Sequence, residues 1–192
     1  MPSYCAGVPT PPGQGVYRLR ITLVDVEPAI WRRILVPAAI RLAKLHDIVQ
    51  AAMGWTNSHL HSFTIGDDRF GMQFDEYPEG EVDEKQVTVL RAIGEHRSFS
   101  YEYDFGDSWE HEIVVEELVR SPLGLKHAVC VDGRNACPSE DCGGTGGYVD
   151  LLEVLANPEH GEHENLVDWV GGAFDPTLFD LVAVNVALQH VR

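Results

Sequence analysis

Basic residues are scarce in this chain. Fourteen Lys and Arg stand against 30 Asp and Glu in 192 residues, a net charge of −16. Nucleic-acid binding needs a face basic enough to displace counterions from phosphates, so independent nucleic-acid binding is not expected. Long apolar runs are also missing. None approaches the roughly 18–20 residues that span a bilayer, which excludes a membrane-spanning helix. Residues 1–15 have neither the charged start nor the apolar core of a secretion signal. Cysteine is sparse at four, and no C-x2-C pair occurs, which excludes a paired-knuckle zinc finger. Without a signal, these cysteines imply a reducing cytoplasm. No internal repeat is present, so a solenoid is excluded. The 44% hydrophobic and 23% charged content suits one compact domain over residues 16–192, with the Pro- and Gly-rich residues 1–15 as a flexible tail.

The charge is uneven. Residues 1–60 are net +3, residues 61–125 net −11 and residues 126–192 net −8. Arg18, Arg20, Arg32, Arg33, Arg41 and Lys44 supply the basic third and are read as a solvated strand and helix face. Tyr17, Leu19, Ile21 and Leu23 alternate with polar residues, as a half-buried strand requires. Ile30 to Val36 forms a second strand, closed by Pro37. From Ala38 to Met53, apolar residues recur at helical spacing, with Gly54 as the stop and His46 as a satisfied boundary residue. His59 to Ile65 and Arg69 to Phe74 are further strands, and the acidic residues 75–86 an exposed loop. Val87 to Ile93 fits either a helix or a strand. Ser98 to Phe105 and Trp109 to Val115 flank Gly106-Asp107 as an antiparallel hairpin. Residues 120–147 are read as irregular. Helices are expected from Tyr148 to Ala156, from Asn157-Pro158 to Gly171-Gly172, and after Asp175-Pro176, where Leu178, Leu181, Val182, Asn185 and Leu188 share a face. Strands, helix, strands and then helices make the class α+β rather than alternating βαβ.

Two groups of residues carry chemistry. His59 and His61 project from one face of a strand. Asp104, Asp107, Trp109 and His111 surround the hairpin turn. If the two ribbons adjoin, the six form a polar pocket, and imidazoles with carboxylates suit Zn²⁺, Mn²⁺ or Fe²⁺. Equally, the aspartates cap their own turn and the histidines satisfy buried groups. Cys130, Cys137 and Cys142 are a second candidate set, for zinc with His127 as fourth ligand, or else for a disulfide, or as small buried apolar residues. The cysteine loop, with its acidic pair Glu140 and Asp141, is expected as a lid near that pocket. The glycines of GGTGG lack the Lys-Ser/Thr that completes a phosphate loop. His160 and His163 are read as a solvated helix start, and the four tryptophans as core packing.

Six ordered strings carry a resemblance: IWRRI (30–34), QAAMGW (50–55), HLHSF (59–63), YEYDFGDSWEH (101–111), CPSEDCGG (137–144) and DPTLFDLVAVN (175–185). Together they resemble the plasmid pRiA4b ORF-3-like family over about Tyr17 to Leu188. The resemblance implies an α+β roll-like fold: an antiparallel or mixed sheet, one early amphipathic helix, and C-terminal helices packed on it. Some members carry labels linked to transposon resolvases and mobile elements, but this chain has no resolvase-like serine context. The resemblance supplies no catalytic residues. The resulting expectation is a cytoplasmic binding or accessory module for a protein or small-molecule ligand, with a metal-dependent hydrolase or nuclease at the His/Asp cluster as the rival.

Overall fold

Alternation in the first third becomes two strands that hydrogen-bond to each other. In the computed structural model, which describes residues 15–72, 81–120 and 125–191, β1 spans Gly15–Leu23 and β2 spans Trp31–Pro37. The proposed tail, with Cys5, lies outside the described residues apart from Gly15. Then follow α1 (Leu42–Met53), β3 (His61–Ile65), β4 (Asp68–Gly71), β5 (Glu81–Asp83), α2 (Val89–Ile93), β6 (Ser98–Tyr103), β7 (Trp109–Arg120), β8 (Val129–Arg134), α3 (Gly144–Leu155), α4 (His163–Trp169) and α5 (Leu181–His190). The eight strands form one sheet in the order β5-β4-β3-β6-β7-β1-β2-β8, antiparallel except at β4/β5. This is a mixed-sheet α+β fold. Among the described residues no helix is long and apolar enough to cross a membrane.

Side-chain alternation fixes which face is inside. Tyr17, Leu19, Ile21, Leu23, Ile34, Val36, Phe99, Tyr101, Ile113 and Val115 all point to the buried face. The amphipathic helix α1 lies against it through Leu42, Leu45, Ile48, Val49 and Met53, and Gly54 ends that helix with φ 85. Arg32 departs from the expected solvated face. It is 3% exposed, and its guanidinium bonds Ala52 O at 3.1 Å, Trp31 O and Arg134 O at 2.9 Å, and rests over the Phe179 ring. It thereby caps one carbonyl in the last turn of α1 from the sheet. Outside, Arg20 and Arg33 stack on Trp31, Arg33 chelates Glu116 and bonds Asp132, and Arg18 pairs with Glu117.

Several boundaries differ from the sequence reading. β8 lies in the stretch read as irregular. At the sheet edge only Cys130 of its residues is buried, so no alternation announces it. β5 is three acidic-flanked residues added in parallel to β4, inside the expected loop; residues 75–80 of that loop lie outside the described residues. β7 runs on past Val115 beside β1. Val87 to Ile93 resolves as the short helix α2, with the Thr88 hydroxyl accepting from Arg91 N–H. α4 starts at His163, because Asn157-Pro158 closes a turn of its own. α5 starts at Leu181, because the Asp180 carboxylate accepts from Val182 and Ala183 N–H, whereas Asp175 closes a turn onto Thr177.

Asn185 shows what α5 does for the sheet. Its amide accepts from Cys130 N–H at 3.0 Å and donates to Cys130 O at 2.8 Å. One side chain therefore stands in for a ninth strand on the open edge of β8. Asn185→Leu leaves both backbone groups unpaired, with an expected loss of about 1–3 kcal/mol in urea unfolding. A loss under about 0.3 kcal/mol refutes the edge-capping role.

Candidate functional site

The hairpin at the end of β6 is built by one aspartate. Asp104 takes φ 57, and its Oδ1 accepts from Gly106 N–H at 3.0 Å while its backbone oxygen accepts from Ser108 N–H at 2.6 Å. The connection spans residues 104–108, longer than the Gly106-Asp107 pair expected, because Asp104 and Ser108 both adopt positive φ. Oδ1 is thus committed to the turn, and Oδ2 is turned toward His59.

β3 runs beside β6, with His61 opposite Tyr103 and Phe63 opposite Tyr101. Across the hairpin, Tyr101 lies opposite His111 and Tyr103 opposite Trp109. His61, His111 and Trp109 therefore share the inner face, but they serve different partners. His61 Nε2 bonds Glu84 Oε2 at 2.8 Å, with both side chains at most 2% exposed. Its ring stacks on His46 at 3.4 Å, interplanar 4°. His111 turns Nδ1 to the Trp109 carbonyl at 3.0 Å and packs edge-on against Trp55. Trp109 is wholly buried. Glu84 was hidden in the acidic run 75–86, where nothing in the residue pattern separates it from its solvated neighbours.

His46 is held in one tautomer. Asn57 Oδ1 accepts from Nε2 at 2.7 Å, so Nδ1 accepts from the Tyr101 hydroxyl at 2.8 Å, and Gln50 donates to that hydroxyl at 3.0 Å. Burial, reinforced by His61, pushes the His46 pKa down to about 3. Burial alone takes His111 down to about 4 against two carbonyls that favour its charged form.

His59 stands just before β3, at the rim. Its Nδ1 lies 3.6 Å from Asp104 Oδ2 and its Nε2 3.0 Å from Asp141 Oδ1. The second contact is not aligned as a hydrogen bond, and Nε2 is screened from solvent without a hydrogen-bond partner. One donor atom each from His59, Asp104 and Asp141 falls within 4.8 Å of the others, the only such group of three or more among the described residues. Beside it opens a cleft of about 550 Å³, lined by Asn57, Ser58, His59, Leu60, Asp104 and Phe105 among others.

Asp141 arrives on the segment after β8, which is tied down at several points. Trp55 Nε1 donates to Pro138 O at 2.9 Å. Glu140 accepts from Thr56 N–H, from the Thr56 hydroxyl and from the Tyr103 hydroxyl. Burial disfavours the Glu140 carboxylate, yet the bonds from Thr56 and Tyr103 outweigh it and hold the pKa below the usual value. Asp107, expected in the pocket, instead accepts from Gly143 N–H at 3.1 Å and so anchors this segment to the hairpin. The glycines that follow serve close approach. A Cβ on Gly144 would sit 2.5 Å from Asp107 O, and one on Gly147 would collide with Cys142 O.

The three cysteines do not meet. Cys130 Sγ points to Asp132 O at 3.3 Å, Cys137 Sγ to Met53 Sδ at 3.2 Å, and Cys142 Sγ to Gly144 O at 3.9 Å. Burial pushes the Cys137 and Cys142 thiols up to about 11, which disfavours the thiolates a metal requires.

Comparison with known proteins adds the relatives. The family model for plasmid pRiA4b ORF-3-like protein matches residues 15–183. The uncharacterized protein y4hQ of Sinorhizobium fredii is 40% identical over 179 residues, 92% of each chain. The crystal structure of MM3350 from Methanosarcina mazei Go1, a protein of unknown function, superposes with TM-score 0.81 at 35% identity, covering 88% of this chain and 97% of that one. The chain belongs to the plasmid pRiA4b ORF-3-like family.

Proposed function

We propose that this member of the plasmid pRiA4b ORF-3-like family is a binding module, and that the cleft beside His59 is its ligand site, with a divalent cation held by His59, Asp104 and Asp141. The observation that carries the reading is the convergence of these three donors within 4.8 Å of one another, with His59 and Asp104 lining the cleft. An imidazole opposed by two carboxylate oxygens carries net negative charge, and one imidazole with two carboxylates suits Zn²⁺ or Mn²⁺. The screened Nε2, 3.0 Å from a carboxylate yet out of line with it, favours a cation shared between the two. Asp104 is preorganised for this role, since its other oxygen is fixed by the turn. A cytoplasmic accessory role beside mobile elements belongs to the same proposal, supported by the plasmid reading frame in the family's name.

Isothermal titration of chelator-treated protein with ZnCl₂ and MnCl₂ tests the cation. The expected result is one ion per chain, weakened at least about tenfold in Asp141→Asn. Asp141 is exposed, so the variant keeps its fold. Uptake below about a tenth of an equivalent, or unchanged affinity in Asp141→Asn, overturns the reading. Turnover of nitrophenyl phosphate or ester by the metal-loaded chain, lost in His59→Ala, would replace binding with metal-dependent hydrolysis.

A further inference from the structure

Residues 135–191 contain ten Asp and Glu and no Lys or Arg. This stretch supplies α3, α4 and α5, and its acidic residues fall on α3, α4 and the segments that lead into the helices. The same layer leaves large apolar side chains in solvent: Val149 is 52% exposed, Trp169 48% and Val182 73%. Acidity alone is explained by solubility, but an exposed tryptophan within an acidic layer is not.

Between α3 and α4 runs a groove of about 350 Å³. Leu151, Val154, Leu166 and Trp169 form its apolar floor and wall, and Asp141 and Asp150 its rim. We propose that this groove docks a cationic amphipathic segment of a partner protein, with a bulky apolar side chain against Trp169 and Lys or Arg side chains on the acidic rim. Charge decides the occupant. A second copy of the chain brings −16 against −16, and an anionic lipid surface or a nucleic acid meets the same repulsion. A segment alternating apolar and basic residues matches both floor and rim, in the manner of helix-in-groove recognition. Tryptophan suits the centre of such a contact, giving large apolar area and an electron-rich face for a cation. This inference stands apart from the cation site at His59. The two share Asp141, so the test leaves that residue alone.

Fluorescence anisotropy with a dye-labelled Leu/Lys peptide of about 16 residues, its leucines at helical period, provides the test. Its controls are a scrambled peptide of the same composition and a Leu/Glu analogue. The amphipathic cationic peptide is expected to bind at least about tenfold more tightly than either control. Trp169→Ala and, separately, Asp150→Lys are each expected to weaken it about tenfold. Both positions are exposed, so the fold is retained. The titration is run in EDTA, so its outcome does not depend on a bound cation, which separates failure here from failure of the cation site. Equal binding of the scrambled peptide overturns the proposal by reducing the effect to bulk charge. Unchanged affinity in either groove variant overturns it by moving the contact elsewhere. A dimer of the chain dispersed by Trp169→Ala, or binding to phosphatidylglycerol vesicles lost in that variant, overturns it by naming another occupant.

Discussion

Glu84→Ala is expected to cost about 3–5 kcal/mol, the range for removing one partner of a buried pair. The carboxylate and the His61 imidazole face each other at 2.8 Å, and neither reaches solvent. Removing the carboxylate strands Nε2, in a side chain whose Nδ1 already lacks a hydrogen-bond partner, beneath the stacked His46 ring. For a chain of this size the loss corresponds to a fall of about 10 °C in Tm. The pair itself is not the source of stability, because desolvating two polar partners costs nearly what their attraction returns. Replacing both, as His61→Phe with Glu84→Met, is therefore expected to recover most of the loss, with Phe keeping the stack on His46. Differential scanning calorimetry of the two variants decides it. A single-variant loss under about 1 kcal/mol, or a double variant no better than the single, refutes this account of the pair.

How much of this was legible beforehand depended on the range of each interaction. Local rules placed β1, β2, α1 and the β6–β7 hairpin, since alternation and helical spacing are written within a dozen residues. The HLH string and the hairpin read as one candidate site, and the register puts His61 opposite Tyr103. Register alone does not say where a ring points. His61 turns to Glu84, His111 to the Trp109 carbonyl and only His59 to Asp104. Those choices are made by Glu84, 23 residues from His61, which no local pattern marks, and by Asp141, 82 residues from His59, which stands in the acidic pair expected in the lid. The same holds at Arg32, where a strand position next to another arginine looks solvated until the end of α1 arrives above it. β8 escaped because an edge strand supported by Asn185 of a distant helix needs no pattern of its own.

Acid exposes the cost of the buried imidazoles. His46 and His111 have folded pKa values near 3 and 4, against 6.5 when unfolded. Because the folded values are depressed, the unfolded chain binds more protons throughout the interval between them. Stability is therefore complete above pH 6.5 and falls as pH drops through that value toward 4. At pH 5 each unfolded imidazole is almost fully protonated while its folded counterpart stays neutral, a penalty of about 2 kcal/mol apiece relative to pH 7. The pair together predicts a loss of about 4 kcal/mol across two pH units, a range above the usual titration of most carboxylates. His46 faces His61, Tyr101 and Asn57, with Glu84 behind His61, while His111 faces Trp55, Tyr101 and backbone carbonyls. No acidic side chain bonds either ring directly, so burial sets the sign in both. Urea unfolding at pH 7, 6 and 5 measures the slope, and His46→Gln is expected to lower it by about one proton. A slope unchanged in that variant would mean that His46 already carries its proton in the folded chain, which its stacked contact with His61 and its bond from the Tyr101 hydroxyl both oppose.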